Sequence, residues 1–190
     1  MPSIENITQH IIAYSEGDVQ ELCFIVDALY QELCKVAQSQ INKLGKKDIS
    51  AQELVHEVYL KFSKSLSINA NGRRHFLAIA ANAMRFLIID QLRNDSSLKR
   101  GANFCVTTLT DSKLPINDNT KEIFYVHEGI EKLRAIDEKL AITVECKYFA
   151  GYSEQETAEA LNVNVRSVRR YWKRSKKWLA IEFAEQSIIR

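Results

Sequence analysis

Apolar residues return every three or four positions along most of this chain, the period of a helix with one buried face. Residues 3–14 place Ile4, Ile7, Ile11 and Ile12 on such a face, and Gly17 punctuates its end. Residues 18–44 continue with Leu22, Ile25, Val26, Leu29, Leu33 and Val36, which predicts a long amphipathic helix ending near Gly45. After a polar stretch, Ser50 followed three residues on by Glu53 forms a capping-box signature. It opens a helix whose apolar side is Ala51, Leu54, Val55, Val58 and Phe62. Residues 67–72 read as a loop, and the run from Arg73 to Arg93 is apolar and aromatic with basic residues at both ends. No strand-like alternation interrupts this half, so residues 1–100 are expected to form a helical bundle.

Residues 101–125 lose the helical period. Their Thr, Asn and Asp content, with Pro115 among them, predicts a linker between two domains. Periodicity resumes from residue 126, where Ile130, Leu133, Ile136, Leu140, Ile142 and Tyr148 serve two helices that Gly151 stops. Ser153 with Glu156 repeats the capping box, and Ala158 and Leu161 give the short helix it starts an apolar face. Asn162-Val163-Asn164 breaks that helix, and Asn164 suits the N-cap of the next. The expected architecture is all-α: a bundle over 1–100, a linker over 101–125 and a small domain over 126–190.

The last predicted helix carries the chemistry. Arg166 to Lys177 holds seven Lys/Arg and no acidic residue. At helical spacing Arg166, Arg169, Arg170, Lys173 and Lys177 share one face, while Val165, Val168, Trp172 and Leu179 lie on the other. A basic run by itself is commonly a solvated face. Behind a short helix and a tight turn it reads as the second helix of a helix-turn-helix, which points to duplex DNA.

Composition changes this picture little. The formal net charge is only +2, so affinity for nucleic acid has to come from local patches. Cys23, Cys34, Cys105 and Cys146 are widely spaced with no C-x-x-C pair, which speaks against zinc and against a disulfide framework; Cys23 and Cys34 are expected to be core thiols. No phosphate-binding glycine loop, metal-ligand cluster or nucleophile motif is present, so neither enzymatic activity nor a cofactor is expected. The N-terminus lacks a secretory pattern and no apolar run approaches membrane-spanning length, so a reduced cytoplasmic protein with no membrane partner is expected.

The order of these parts resembles a bacterial RNA polymerase sigma factor of the extracytoplasmic-function (ECF) type, within the sigma-70 family. The resemblance rests on DEKLAITVECKYFAGYSEQETAEALNVNVRSVRRYWKRSKKWL in the second half, and on ELVHEVYLKF and RRHFLAIAANAMRFLIIDQLR in the first. It covers nearly the whole chain and implies a region 2 bundle and a region 4 helix-turn-helix, with core RNA polymerase and promoter DNA as partners. By position it implies that Arg166, Ser167, Arg169 and Arg170 meet base edges of the minus-35 element, since Arg can bridge guanine O6 and N7. Lys173, Arg174 and Lys177 lie further along, where phosphate contacts are expected. For Arg174 and Lys176 plain solvated charge is the competing reading, and Trp172 and Trp178 are expected in the core.

In region 2 the family captures an unstacked base of the minus-10 element. The capturing loop maps to Ala81-Asn82-Ala83-Met84, with Asn82 reading the base edge and Arg85 gripping a neighbouring phosphate. Arg73, Arg74 and Arg93 would add backbone contacts, and Phe76 and Phe86 either stack on bases or belong to the core. The helix from Ser50 to Phe62 corresponds to the segment that docks on the polymerase's largest subunit, with Glu53, His56, Glu57 and Tyr59 as contacts. Most relatives begin this helix with several acids and carry Gln where His56 stands. Here Ser50-Ala51-Gln52-Glu53 leaves one carboxylate, which should weaken docking. Some members lacking these acids are switched on by a Ser/Thr kinase, so phosphorylation at Ser50, or less favourably Ser63 or Ser65, is a candidate switch; Ser50 acting only as an N-cap is the alternative. An anti-sigma factor or a kinase, if one acts, comes from another chain. The competing functions are a polymerase-independent helix-turn-helix regulator with a dimerising or sensing bundle, and a helical interaction protein with an idle basic face.

Overall fold

The computed structural model describes residues 6–46, 48–65, 68–98 and 118–188, and every regular element among them is helical. Helix α1 (Ile7–Ser15) stops at Gly17, whose φ of 112° turns the chain into α2 (Glu21–Leu44). Ile7, Ile11 and Tyr14 of α1 are buried, and the Tyr14 hydroxyl donates to the Phe62 carbonyl at 2.9 Å. Helix α2 buries Leu22, Ile25, Leu29, Leu33, Val36 and Ile41, then ends on left-handed Gly45, whose N–H reaches the Ile41 carbonyl. Helix α3 (Ala51–Ser63) starts at the expected capping box: Ser50 Oγ accepts from Glu53 N at 3.1 Å and Ser50 N donates to Glu53 Oε2 at 2.7 Å. Its buried stripe is Ala51, Leu54, Val55, Val58 and Phe62, the side read from the sequence. Cys23 departs from expectation. One position beyond Leu22, it falls off the buried stripe of α2 and is exposed, while Cys34 is half-buried.

Helix α4 (Arg73–Leu98) lies at the centre of the molecule. Phe76, Leu77, Ala78, Ala80, Ala81, Ala83, Met84, Ile88 and Ile89 are all buried, so it is covered nearly all round. One side meets α1, α2 and α3; another meets the C-terminal half.

That half begins earlier than the sequence suggested. Helix α5 spans Asp118–Ile136, so the expected linker is helical from Asp118 onward, and residues 101–117 lie outside the described residues. Helix α6 (Glu138–Val144) is capped by Asp137 and runs into a π-helical turn, Glu145–Phe149. Helix α7 (Glu154–Leu161) and helix α8 (Val165–Ile188) complete it. Gly129 brings α5 close to α8: a Cβ there would stand 2.9 Å from the Phe183 ring. The two halves meet along α4, where α7 and the π turn pack, and their buried residues join in one apolar cluster. Among the described residues, no helix is long and apolar enough to cross a membrane.

Candidate nucleic-acid interface

Local hydrogen bonding sets the helix-turn-helix. Ser153 and Glu156 form a reciprocal capping box, with Ser153 N donating to Glu156 Oε2 at 2.9 Å and Glu156 N to Ser153 Oγ at 3.2 Å. Asn162 ends α7 in the left-handed region at φ 50°, a conformation asparagine tolerates better than most residues. Asn164 Oδ1 accepts from Ser167 N at 2.8 Å and so caps α8. Among the described side chains of α8, Val168 and Ser175 are fully buried, and the Ser175 hydroxyl lies 3.0 Å from the Leu140 carbonyl and 2.9 Å from that of Tyr171. Trp172 is half-buried, with the ammonium groups of Lys147 and Lys176 over its ring.

The opposite face of α8 points to solvent. Arg166, Arg169, Arg170, Lys173, Arg174 and Lys177 are all exposed, and Ser167 is half-buried. Arg169 Nε donates to Glu154 Oε2 at 2.7 Å, which holds the Glu154 carboxyl below its ordinary range. Arg174 sits 3.8 Å from Asp137.

The residues expected at the minus-10 element are placed differently. Ala81-Asn82-Ala83-Met84 is uninterrupted helix in the middle of α4, not a loop: three of the four are buried, and the backbone has no reason to leave the helix. Arg85, expected on a phosphate, is fully buried instead. Its Nη2 donates to Glu145 Oε1 at 2.6 Å, to Glu131 Oε1 at 2.7 Å and to Asn82 Oδ1 at 3.1 Å, and its Nη1 faces His127 Nδ1. Burial and the adjacent Arg85 pull His127 down to about 4, so the ring is neutral and accepts. Arg134 Nη2 reaches the same Glu145 oxygen at 2.6 Å. Arg74 is engaged across the seam by Glu156 at 2.9 Å and Glu159 at 3.8 Å, and its guanidinium lies over the Tyr152 ring. Arg73 pairs with Glu32 within the bundle at 2.6 Å. Arg93 is exposed, 3.5 Å from Asp90 and over the Phe124 ring. Phe76 belongs to the core, while Phe86 is half-buried and edge-on to His127. Along the seam runs a cavity of about 470 Å³ lined by Asn82 and His75 on one side and Arg134, Glu138 and Lys139 on the other.

Helix α3 keeps a separate outward face. Glu53, His56, Glu57 and Leu60 are exposed and Tyr59 is half-buried; α3 packs mainly against α2 and α4. Leu60, 48% exposed, was not singled out in the sequence, although it stands off the stripe of Leu54, Val58 and Phe62. Glu131, Glu145 and His127 were missed as well. The signal for Glu145 was a lone carboxylate inside the apolar run from Leu140 to Phe149.

An all-helical chain ending in a helix-turn-helix with a cation-bearing second helix defines a helix-turn-helix DNA-binding protein. The profile of the ECF sigma factors matches residues 4–185, and the chain belongs to that family. It is a sigma factor, which works with core RNA polymerase on promoter DNA to direct transcription initiation; the family is one of initiation factors rather than enzymes. No curated protein matches the chain.

Proposed function

We propose that this sigma factor divides promoter recognition between its two halves. Helix α8 reads the minus-35 element through Arg166, Ser167, Arg169 and Arg170, with Lys173, Arg174 and Lys177 on phosphates. The face of α4 bearing Asn82 and Arg85, with Arg73, Arg74 and Arg93 near it, takes the minus-10 strand. The outward side of α3, with Glu53, His56, Glu57 and Tyr59, docks on core polymerase. The observation that carries this reading is the row of six solvent-facing cations on a helix whose other side is anchored by Val168 and Ser175. In transcription reconstituted with core polymerase on genomic fragments, the chain should yield discrete promoter-specific transcripts. An Arg170→Ala variant should lose them by roughly ten- to hundred-fold, because a base-reading Arg is worth about 1–3 kcal/mol. Unchanged transcripts would remove α8 from the reading, and sequence-specific DNA binding without any transcript would favour a polymerase-independent regulator.

Docking is open to control by phosphorylation in the same framework. Ser50 is exposed at the N-terminus of α3, where a phosphate would keep accepting from the backbone and meet the positive end of the helix. The Ser63 and Ser65 hydroxyls donate to the Leu60 and Lys61 carbonyls, which leaves them second choices. A Ser50→Asp chain should hold core polymerase more tightly than Ser50→Ala, and equal affinity would remove Ser50 as the switch. A kinase, or an anti-sigma factor acting in its place, would set this switch.

A further inference from the structure

We propose that Glu154 is a positioning residue for reading the upstream element, which fixes the Arg169 guanidinium so that its outer end meets a guanine; this rests on the reading of α8 given above. Of the four residues assigned there to base edges, Arg169 is the one that a carboxylate holds among the described residues. Its Nε donates to Glu154 Oε2 at 2.7 Å. The partners are 15 positions apart and stand on different helices. Glu154 is the first residue of α7, where the Ser153–Glu156 capping box fixes the backbone, and α7 packs directly on α8. The carboxylate is half-buried and the arginine exposed, so a fixed group grips a mobile one.

Hydrogen-bond geometry says what this grip selects. A guanidinium can hold paired acceptors by its side edge, Nε with one Nη, or by its end, Nη1 with Nη2. With Nε given to Glu154 the side edge is closed, and the end remains for guanine O6 and N7. The held side chain also loses its freedom to swing onto a phosphate, which carries no sequence information. Stability is not what the pair supplies, because an exposed ion pair contributes little to folding. Bare charge does not account for it either. A carboxylate beside a DNA-facing helix repels phosphates, so its place here is explained by the cation it orients.

Base preference, position by position, tests this. Holoenzyme reconstituted from core polymerase and the full chain selects from a pool of randomised duplex DNA, and filter binding then compares the selected duplex with its single-base replacements. Circular dichroism establishes that each variant keeps its helix content. Wild type should prefer guanine about ten-fold at the one position where Arg169→Ala shows no preference. Glu154→Ala should lose most of that preference at the same position and keep the others. Its binding to non-specific duplex should hold or rise, with a steeper salt dependence, because the released Arg169 reaches phosphates. Glu154→Gln, which keeps an acceptor oxygen at the same reach, should retain most of the preference. A Glu154→Ala holoenzyme that still prefers the guanine overturns the proposal and leaves α8 as the reading helix. A uniform loss at every position overturns it too, since that marks a scaffold defect, as does an Arg169→Ala holoenzyme with every preference intact. A wild-type holoenzyme that selects no sequence overturns the reading of α8 itself, and the proposal with it.

Discussion

His127 and Arg85 share a buried site in which only one can be charged. Burial first, then the Arg85 guanidinium, with Arg93 and Arg134 adding to it, keeps the imidazole neutral, while Glu131 and Glu145 hold the guanidinium. Its folded value of about 4 lies below the ordinary 6.5, so the unfolded chain binds the extra proton first. The stabilisation is therefore complete above about 6.5 and is lost as the pH falls towards 4, on the order of 2 kcal/mol in all. Denaturant unfolding of wild type and His127→Gln across that range should show a steeper loss for the wild type. Parallel curves would mean that His127 is hydrated in solution. Cys146 is quieter: fully buried, its thiol pushed up by burial, it is set for packing and not for redox work.

Helix boundaries here are written in short-range hydrogen bonds. Ser50 and Ser153 each close a reciprocal capping box, so Ser50→Ala and Ser153→Ala should each lower unfolding free energy by about 1 kcal/mol, and Ser50→Gly by only a few tenths. Denaturant melts of the three variants check this. If Ser50→Ala cost nothing, α3 would be held by its buried stripe alone. These caps, the Asn164 cap and the left-handed Gly45 were legible because three or four neighbouring residues decide them. What was hidden depended on contacts between distant segments. The π turn is one such case. Leu140, Ala141 and Val144 face inward, and ordinary helical spacing carries that face to Tyr148. The wider turn shifts it by one residue, so Phe149 is buried and Tyr148 is half-exposed. Asn82 was expected in a loop because the resemblance maps the base-capturing loop onto Ala81-Asn82-Ala83-Met84. Its Oδ1 accepts from Arg85 Nη2 at 3.1 Å, and the helix runs on through it. The start of α5 at Asp118 was lost in the polar run that precedes Ile123, which read as linker.

An apolar character on every side was the one sequence feature of α4 that reached beyond its own domain. A helix so patterned needs cover all round, and α1 to α3 supply only part of it. The C-terminal half supplies the rest, so Ile130, Leu133, Leu140 and Phe149 join Ile25, Leu54 and Phe76 in a single buried cluster. A shared cluster makes the halves unfold together, and calorimetry of the wild type should show one transition whose van't Hoff and calorimetric enthalpies agree. A Ser39→Trp variant puts a bulky ring where the Ser39 hydroxyl donates to the Phe149 carbonyl at 3.2 Å and so wedges the halves apart while sparing the interior of each; its trace should separate into two transitions. The C-terminal half should melt first, because α5 to α8 enclose the smaller set of buried residues. A single transition in both proteins would mean that the Trp leaves the shared cluster intact; two in both would mean that each half melts by itself and the seam is a weak contact. A core shared between the halves is what keeps α4, apolar on every side, covered within one chain.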